Sequence, residues 1–168
     1  MKHLLDKKHL KLMASAYIKS HIEYCCNVFC LCTETIIKPI TILLKKTIRN
    51  ICNKPPGFHA NTLFKQEGIL PVPELMSLNI FKFMHSYKQK LSPSTFNDTW
   101  NTNQAVSGYN TRGANNIHQE AFELHQLKKH PLFNFPKKWN DLPINLKNII
   151  CPNALRKEVK KYLLDNLV

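Results

Sequence analysis

The run Pro39-Ile40-Thr41-Ile42-Leu43-Leu44-Lys45-Lys46-Thr47-Ile48-Arg49-Asn50-Ile51-Cys52 decides the class of fold. Ile40, Leu43, Leu44, Thr47, Ile48 and Ile51 recur at three- and four-residue steps, the spacing that gathers side chains on one face of an α-helix. At about 100° per residue, Lys38, Lys45 and Arg49 fall within about 40° of one another away from that stripe, and Lys46 lies beside them. Pro39 is expected to open this helix, because a proline in the first turn removes no hydrogen bond that the helix would have made. The breaker run Asn53-Lys54-Pro55-Pro56-Gly57 is expected to end it near Cys52.

The same spacing continues on both sides. Leu10, Met13, Ala14, Tyr17, Ile18, Ile22, Cys25 and Phe29 predict a helix over about residues 9–30. Residues 58–71 read as a short link with a helical turn at 61–66. Pro73 and Glu74 suit the start of a third helix, with Met76, Ile80, Phe83, Met84 and Tyr87 inward and Leu75, Leu78 and Phe81 widening the stripe. This most hydrophobic helix is expected to be central. Residues 92–117 carry Asn, Gly, Ser and Thr with no period and read as a long polar loop with short extended pieces; residues 116–129 show a weaker pattern. The segment Phe133-Asn134-Phe135-Pro136-Lys137-Lys138-Trp139-Asn140-Asp141-Leu142-Pro143 is expected to anchor a turn, with Trp139 packed inward. A last helix from Pro152 puts Leu155, Val159, Tyr162 and Leu163 inward and Arg156, Lys157, Lys160 and Lys161 outward.

The fold class expected is therefore mainly α, a small helical bundle with a long polar loop in its second half. Residues 1–91 form a helical region, 92–130 a loop or insert and 131–168 a terminal anchor and helix, all expected in one domain. The chain has 168 residues, 43% hydrophobic and 21% charged, which places it with ordinary globular domains rather than disordered or fibrous chains. No apolar stretch approaches the roughly 18 residues of a membrane span. The amino terminus meets charge at Lys2, Asp6, Lys7 and Lys8 before any signal-like apolar run, so an intracellular chain is expected.

Twenty-four Lys and Arg against eleven Asp and Glu leave a net charge of +13. Residues 1–54 hold ten basic and three acidic side chains, residues 55–127 five and five, and residues 128–168 nine and three. The excess thus gathers in helices at both ends, the pattern of a polyanion binder, and RNA or DNA backbone is the partner it points to. The alternative is a solvated basic surface.

Other chemistries are excluded by their spacing. Cys25, Cys26, Cys30 and Cys32 lie close to His21, but a structural zinc site needs two short ligand pairs separated by a longer loop, so these cysteines, with Cys52 and Cys151, read as reduced thiols and no metal is expected. His118, His125 and His130 match no ligand motif. Neither a phosphate-cradling glycine loop nor a dinucleotide fingerprint occurs among four glycines, and no cofactor is expected.

A set of short motifs carries a resemblance. These are Lys2-His3-Leu4-Leu5-Asp6-Lys7-Lys8, Tyr17-Ile18-Lys19-Ser20-His21-Ile22-Glu23-Tyr24-Cys25, Lys45-Lys46-Thr47-Ile48-Arg49-Asn50-Ile51-Cys52, Leu63-Phe64-Lys65 with Gly68-Ile69-Leu70-Pro71, Phe83-Met84-His85, Tyr109-Asn110-Thr111-Arg112, Phe135-Pro136 before Trp139-Asn140-Asp141-Leu142-Pro143, and Tyr162-Leu163-Leu164. In this order they resemble the region downstream of the catalytic palm in reverse transcriptases of non-LTR (LINE-type, jockey-like) retrotransposons, over nearly the whole chain. Where the family usually has a Trp-Gly pair after the tyrosine-cysteine, this chain has Val28-Phe29-Cys30. The resemblance implies a helical thumb and carboxyl-terminal region that grips template and primer, with the catalytic aspartates on a palm upstream. Asp6, Asp98, Asp141 and Asp165 are widely separated and form no paired-metal hairpin, so no catalytic residue is expected. The expected nucleic-acid contacts are Lys38, Lys45, Lys46, Arg49, Arg112, Arg156, Lys157, Lys160 and Lys161. A rival reading is a structural or protein-interaction remnant that packs on a polymerase palm.

Overall fold

Asp6 opens the first helix by accepting the His9 backbone N–H at 2.9 Å, an amino-terminal cap that satisfies a donor the helix leaves unpaired. The structure is a computed structural model that describes residues 5–24, 26–29, 32–123 and 129–167. Helix α1 (Lys7–Ala14) runs through a π-turn at Ser15–Lys19 into α2 (Ser20–Glu23), where Tyr24 turns extended and ends it. A short α3 follows (Cys26–Phe29). The helix expected over residues 9–30 is thus broken at Tyr24, and Cys25 and Cys30 lie outside the described residues.

Helix α4 spans Glu34–Ile51, so it starts earlier than Pro39 suggested. Thr33 is extended and Glu34 occupies the first turn, where a carboxylate complements the helix dipole. Pro39 then sits inside the second turn on the exposed side, where the carbonyl it leaves unpaired can meet water. Helix α5 (Ala60–Glu67) buries Leu63 and Phe64. Gly68 closes it at φ 63, with the Ile69 N–H bonding the Phe64 carbonyl at 3.0 Å; that left-handed turn is why a glycine stands there.

Helix α6 (Val72–Lys88) is buried on most sides, with Val72, Ile80 and Met84 fully enclosed. The chain divides into two compact units, one of residues 1–76 with 160–168 and one of residues 77–159. The division falls inside α6. In the first unit, α4 turns Leu44, Ile48 and Ile51 inward, and the carboxylate of Glu67, its side chain 8% exposed, takes both the Lys7 and the Lys11 ammonium groups.

In the second unit, residues 92–117 are more ordered than a polar loop. A 3-10 turn at Ser94–Phe96 and helix α7 (Asn103–Ser107) lie within them, and an antiparallel bridge pairs Thr102 with Ile117. Phe83, Tyr87, Phe96, Trp100 and Phe135 form one aromatic cluster, with Trp100 nearly parallel to Phe96 and Phe135 and edge-on to Phe83 and Tyr87. The Trp100 indole N–H has no hydrogen-bond partner among the described residues, a desolvation cost of about 1–3 kcal/mol that the aromatic packing offsets. Residues 131–141 are not a turn but helix α8 (Pro131–Asp141), with Pro131 at its start and Phe135, Pro136 and Trp139 buried. Asn140 on α8 clasps the loop by donating to the Ile117 carbonyl at 2.8 Å and accepting the Ile117 N–H at 3.1 Å. A short α9 (Ile144–Lys147) leads to α10 (Pro152–Asp165), which buries Leu155 and Val159. Among the described residues no strand occurs, and the mainly helical class is as expected.

Candidate nucleic-acid interface

The cationic side of α4 exists because its other side is greasy. Burial of Leu44, Ile48 and Ile51 fixes the roll of the helix, and the roll carries Lys38, Lys45, Lys46 and Arg49 away from the core. Lys38 and Lys46 are exposed, while Lys45 and Arg49 are half-buried along their stems, as long cationic side chains often are. None of the four enters an ion pair among the described residues.

Arg49 also has a structural duty. Its Nε donates to the Phe58 carbonyl at 2.8 Å, and its own carbonyl accepts the Lys54 N–H at 2.9 Å. The Lys54 ammonium sits 5.2 Å from the centre of the Phe58 ring. The Pro-Pro-Gly connection therefore folds back on α4 and adds Lys54 to the same neighbourhood. The sequence reading missed Lys54; its only signal was the breaker run immediately after the helix.

The other expected contacts lie elsewhere. Arg112 is exposed in the segment after α7 of the second unit. On α10, Arg156, Lys157 and Lys161 are exposed and Lys160 is half-buried. Arg156 and Lys157 belong to the second unit, Lys160 and Lys161 to the first. At about 100° per residue these four spread over roughly 140° of the helix circumference, a broader and looser array than the one on α4. The α4 group, with Lys54, is thus more concentrated than the α10 group and lies within one unit.

No protein-family model matches the chain, and neither a curated protein nor a solved structure matches it.

The remaining chemistry is sparse. Among the described residues no three His, Cys, Asp or Glu side chains are placed to hold a metal ion. Cys26 is buried, Cys32 and Cys52 are half-buried and Cys151 is exposed. Burial and, after it, the Glu67 charge push the Cys52 thiol up from its ordinary pKa. Cys151 precedes α10, and hydrogen bonding from the Ala154 and Asn153 backbone N–H groups lowers its thiol pKa. Among the described residues, no helix is long and apolar enough to cross a membrane. What the α4 surface can do is hold a row of phosphates through point charges, which positions a strand without reading its bases.

Proposed function

We propose that this chain is the non-catalytic, helical carboxyl-terminal region of a non-LTR retrotransposon reverse transcriptase, and that it holds the backbone of RNA or DNA without sequence preference. One observation carries the binding half of this reading: Lys38, Lys45, Lys46 and Arg49 leave one face of α4 without a carboxylate partner among the described ion pairs, while its opposite face is buried. The ordered motifs quoted above support the origin. Single- and double-stranded labelled 20-mers titrated with the full chain at increasing salt test the proposal. Affinity that falls steeply with salt and is indifferent to base sequence is expected; affinity that stays flat overturns it.

A second reading, packing against a polymerase palm, is favoured by an apolar groove in the first unit. It has a volume of about 330 Å³ and lies between Leu10, Met13, Tyr17 and Ile18 on one side and Thr47, Asn50 and Ile51 on the other. Tyr17 is 70% exposed and Leu43, on α4, 51%, and exposed apolar surface of this kind commonly meets another protein.

A further inference from the structure

The second unit contains a cleft of about 540 Å³ at the carboxyl end of α6. That volume lies within the range of small-molecule sites. Two of its lining residues, Lys88 and Lys90, are exposed and enter no ion pair among the described residues. Asp98 and the amides of Asn97 and Asn115 add one carboxylate and two donor–acceptor groups, and Ser92 and Ser94 add hydroxyls.

The floor is apolar and fixed. Tyr87, Trp100 and Ile117 line it. The Tyr87 hydroxyl is already engaged with the Trp100 backbone on both its donor and acceptor sides, and the Trp100 ring lies nearly parallel to Phe96 and Phe135. The Ile117 backbone is held by Asn140. Ligand recognition therefore falls to the rim, while the floor supplies a rigid surface.

The rim carries the second unit's unusual backbone. Lys90 has φ 56 and Asp98 φ 65, a region that costs an ordinary residue of order 1 kcal/mol. Lys90 closes α6 in the position that glycine normally fills, its N–H bonding the Tyr87 carbonyl at 2.9 Å and the Leu91 N–H bonding that of Ser86 at 2.9 Å. The helix dipole explains cations at this end. It does not explain why a carboxylate, two amides and two hydroxyls line the same cavity.

We infer that this cleft binds a nucleoside monophosphate unit, with its phosphate at Lys88 and Lys90 and the hydrogen-bonding edge of its base at Asp98, Asn97 and Asn115. Inorganic phosphate would occupy a small part of the volume. A phosphorylated sugar would leave the apolar floor uncovered, and a dicarboxylate would offer nothing to Asp98. A nucleoside monophosphate supplies an anionic end, a hydroxyl-bearing middle and a flat heterocycle with N–H groups that a carboxylate accepts, as acidic side chains do from base amino groups. The unit can come from a free nucleotide or from the end of a strand.

Guanosine monophosphate, which presents two adjacent N–H groups to a carboxylate, is the probe, titrated calorimetrically into the full chain beside inorganic phosphate, guanosine, ribose 5-phosphate and a 5′-phosphorylated oligonucleotide beginning with dG. Guanosine monophosphate is expected to bind at least about tenfold more tightly than phosphate or guanosine. Lys88→Gln with Lys90→Gln should weaken it by about tenfold or more, and Asp98→Asn should erase its advantage over ribose 5-phosphate while keeping a residue that tolerates positive φ. An oligonucleotide that competes with the mononucleotide assigns the cleft to strand ends, and one that does not assigns it to free nucleotides. Binding no tighter than that of phosphate, or unchanged in the double lysine variant with circular dichroism intact, overturns the inference. Lys38→Gln, Lys45→Gln and Lys46→Gln together should leave mononucleotide binding intact, so this cleft and the α4 surface fail or succeed separately.

Discussion

The Tyr87 hydroxyl donates to the Trp100 carbonyl at 2.8 Å and accepts the Trp100 backbone N–H at 3.1 Å. One side chain on α6 thereby satisfies both backbone groups of a buried residue thirteen positions further on. It does what a strand partner would do in a sheet, in a unit where a single bridge is the only β pairing among the described residues. Tyr87→Phe keeps the ring that meets Trp100 edge-on at 5.0 Å but orphans two backbone groups. The expected loss is about 1–3 kcal/mol, measured as a lower urea midpoint with circular dichroism of the folded state unchanged. A midpoint within error of the parent would show that water replaces the hydroxyl.

Glu67 ties α1 to the rest of the first unit. Hydrogen bonds from Lys11 and then Lys7 hold its carboxyl below the ordinary glutamate pKa. A carboxyl whose folded value is lowered stabilises the fold fully above its unfolded value of about 4.3 and loses that contribution as pH falls through the lower folded value. The solvent-exposed lysine partners keep the contribution to about 1 kcal/mol or less. Glu67→Gln should therefore lower the thermal midpoint at pH 7 by a few degrees and leave it nearly unchanged near pH 2, where the parent carboxyl is protonated too. An equal loss at both pH values would assign the effect to packing.

Cys151 and Cys52 should differ in reactivity. The thiolate is the nucleophile, and hydrogen bonds at the start of α10 favour it at exposed Cys151, whereas burial disfavours it at Cys52. With limiting iodoacetamide at about pH 8, peptide mass spectrometry should find Cys151 modified roughly tenfold faster or more than Cys52. Equal rates would mean that Cys52 opens to solvent faster than it reacts.

Neutralising α4 should change the salt response more than the fold. Lys38→Gln, Lys45→Gln and Lys46→Gln remove up to three phosphate contacts, so the slope of log affinity against log salt on duplex DNA should shrink by roughly two to three. Arg49 is better left in place, since replacing it also frees the Phe58 carbonyl that it holds. An unchanged slope would take the α4 surface out of the interface.

Local spacing determined much of this molecule. Helices α4, α6 and α10 were legible because each must bury a stripe, and a stripe repeats every three or four residues. The same arithmetic placed Lys38, Lys45, Lys46 and Arg49 on one face, since the greasy side of a helix dictates where its cations point. What spacing could not encode is contact between distant positions. Residues 92–117 show no period, yet Trp100 is buried and ordered by Tyr87, and Ile117 by Asn140. The Phe133–Pro143 stretch looked like a turn because prolines punctuate it, whereas burial of Phe135, Pro136 and Trp139 makes it a helix despite the missing N–H. Lys54 joined the α4 surface only through the fold of the Pro-Pro-Gly connection, and the cleft beside Lys88 exists only once residues 87 to 117 close around it. Periodicity lives within one element, and these features are made where separate stretches of chain meet.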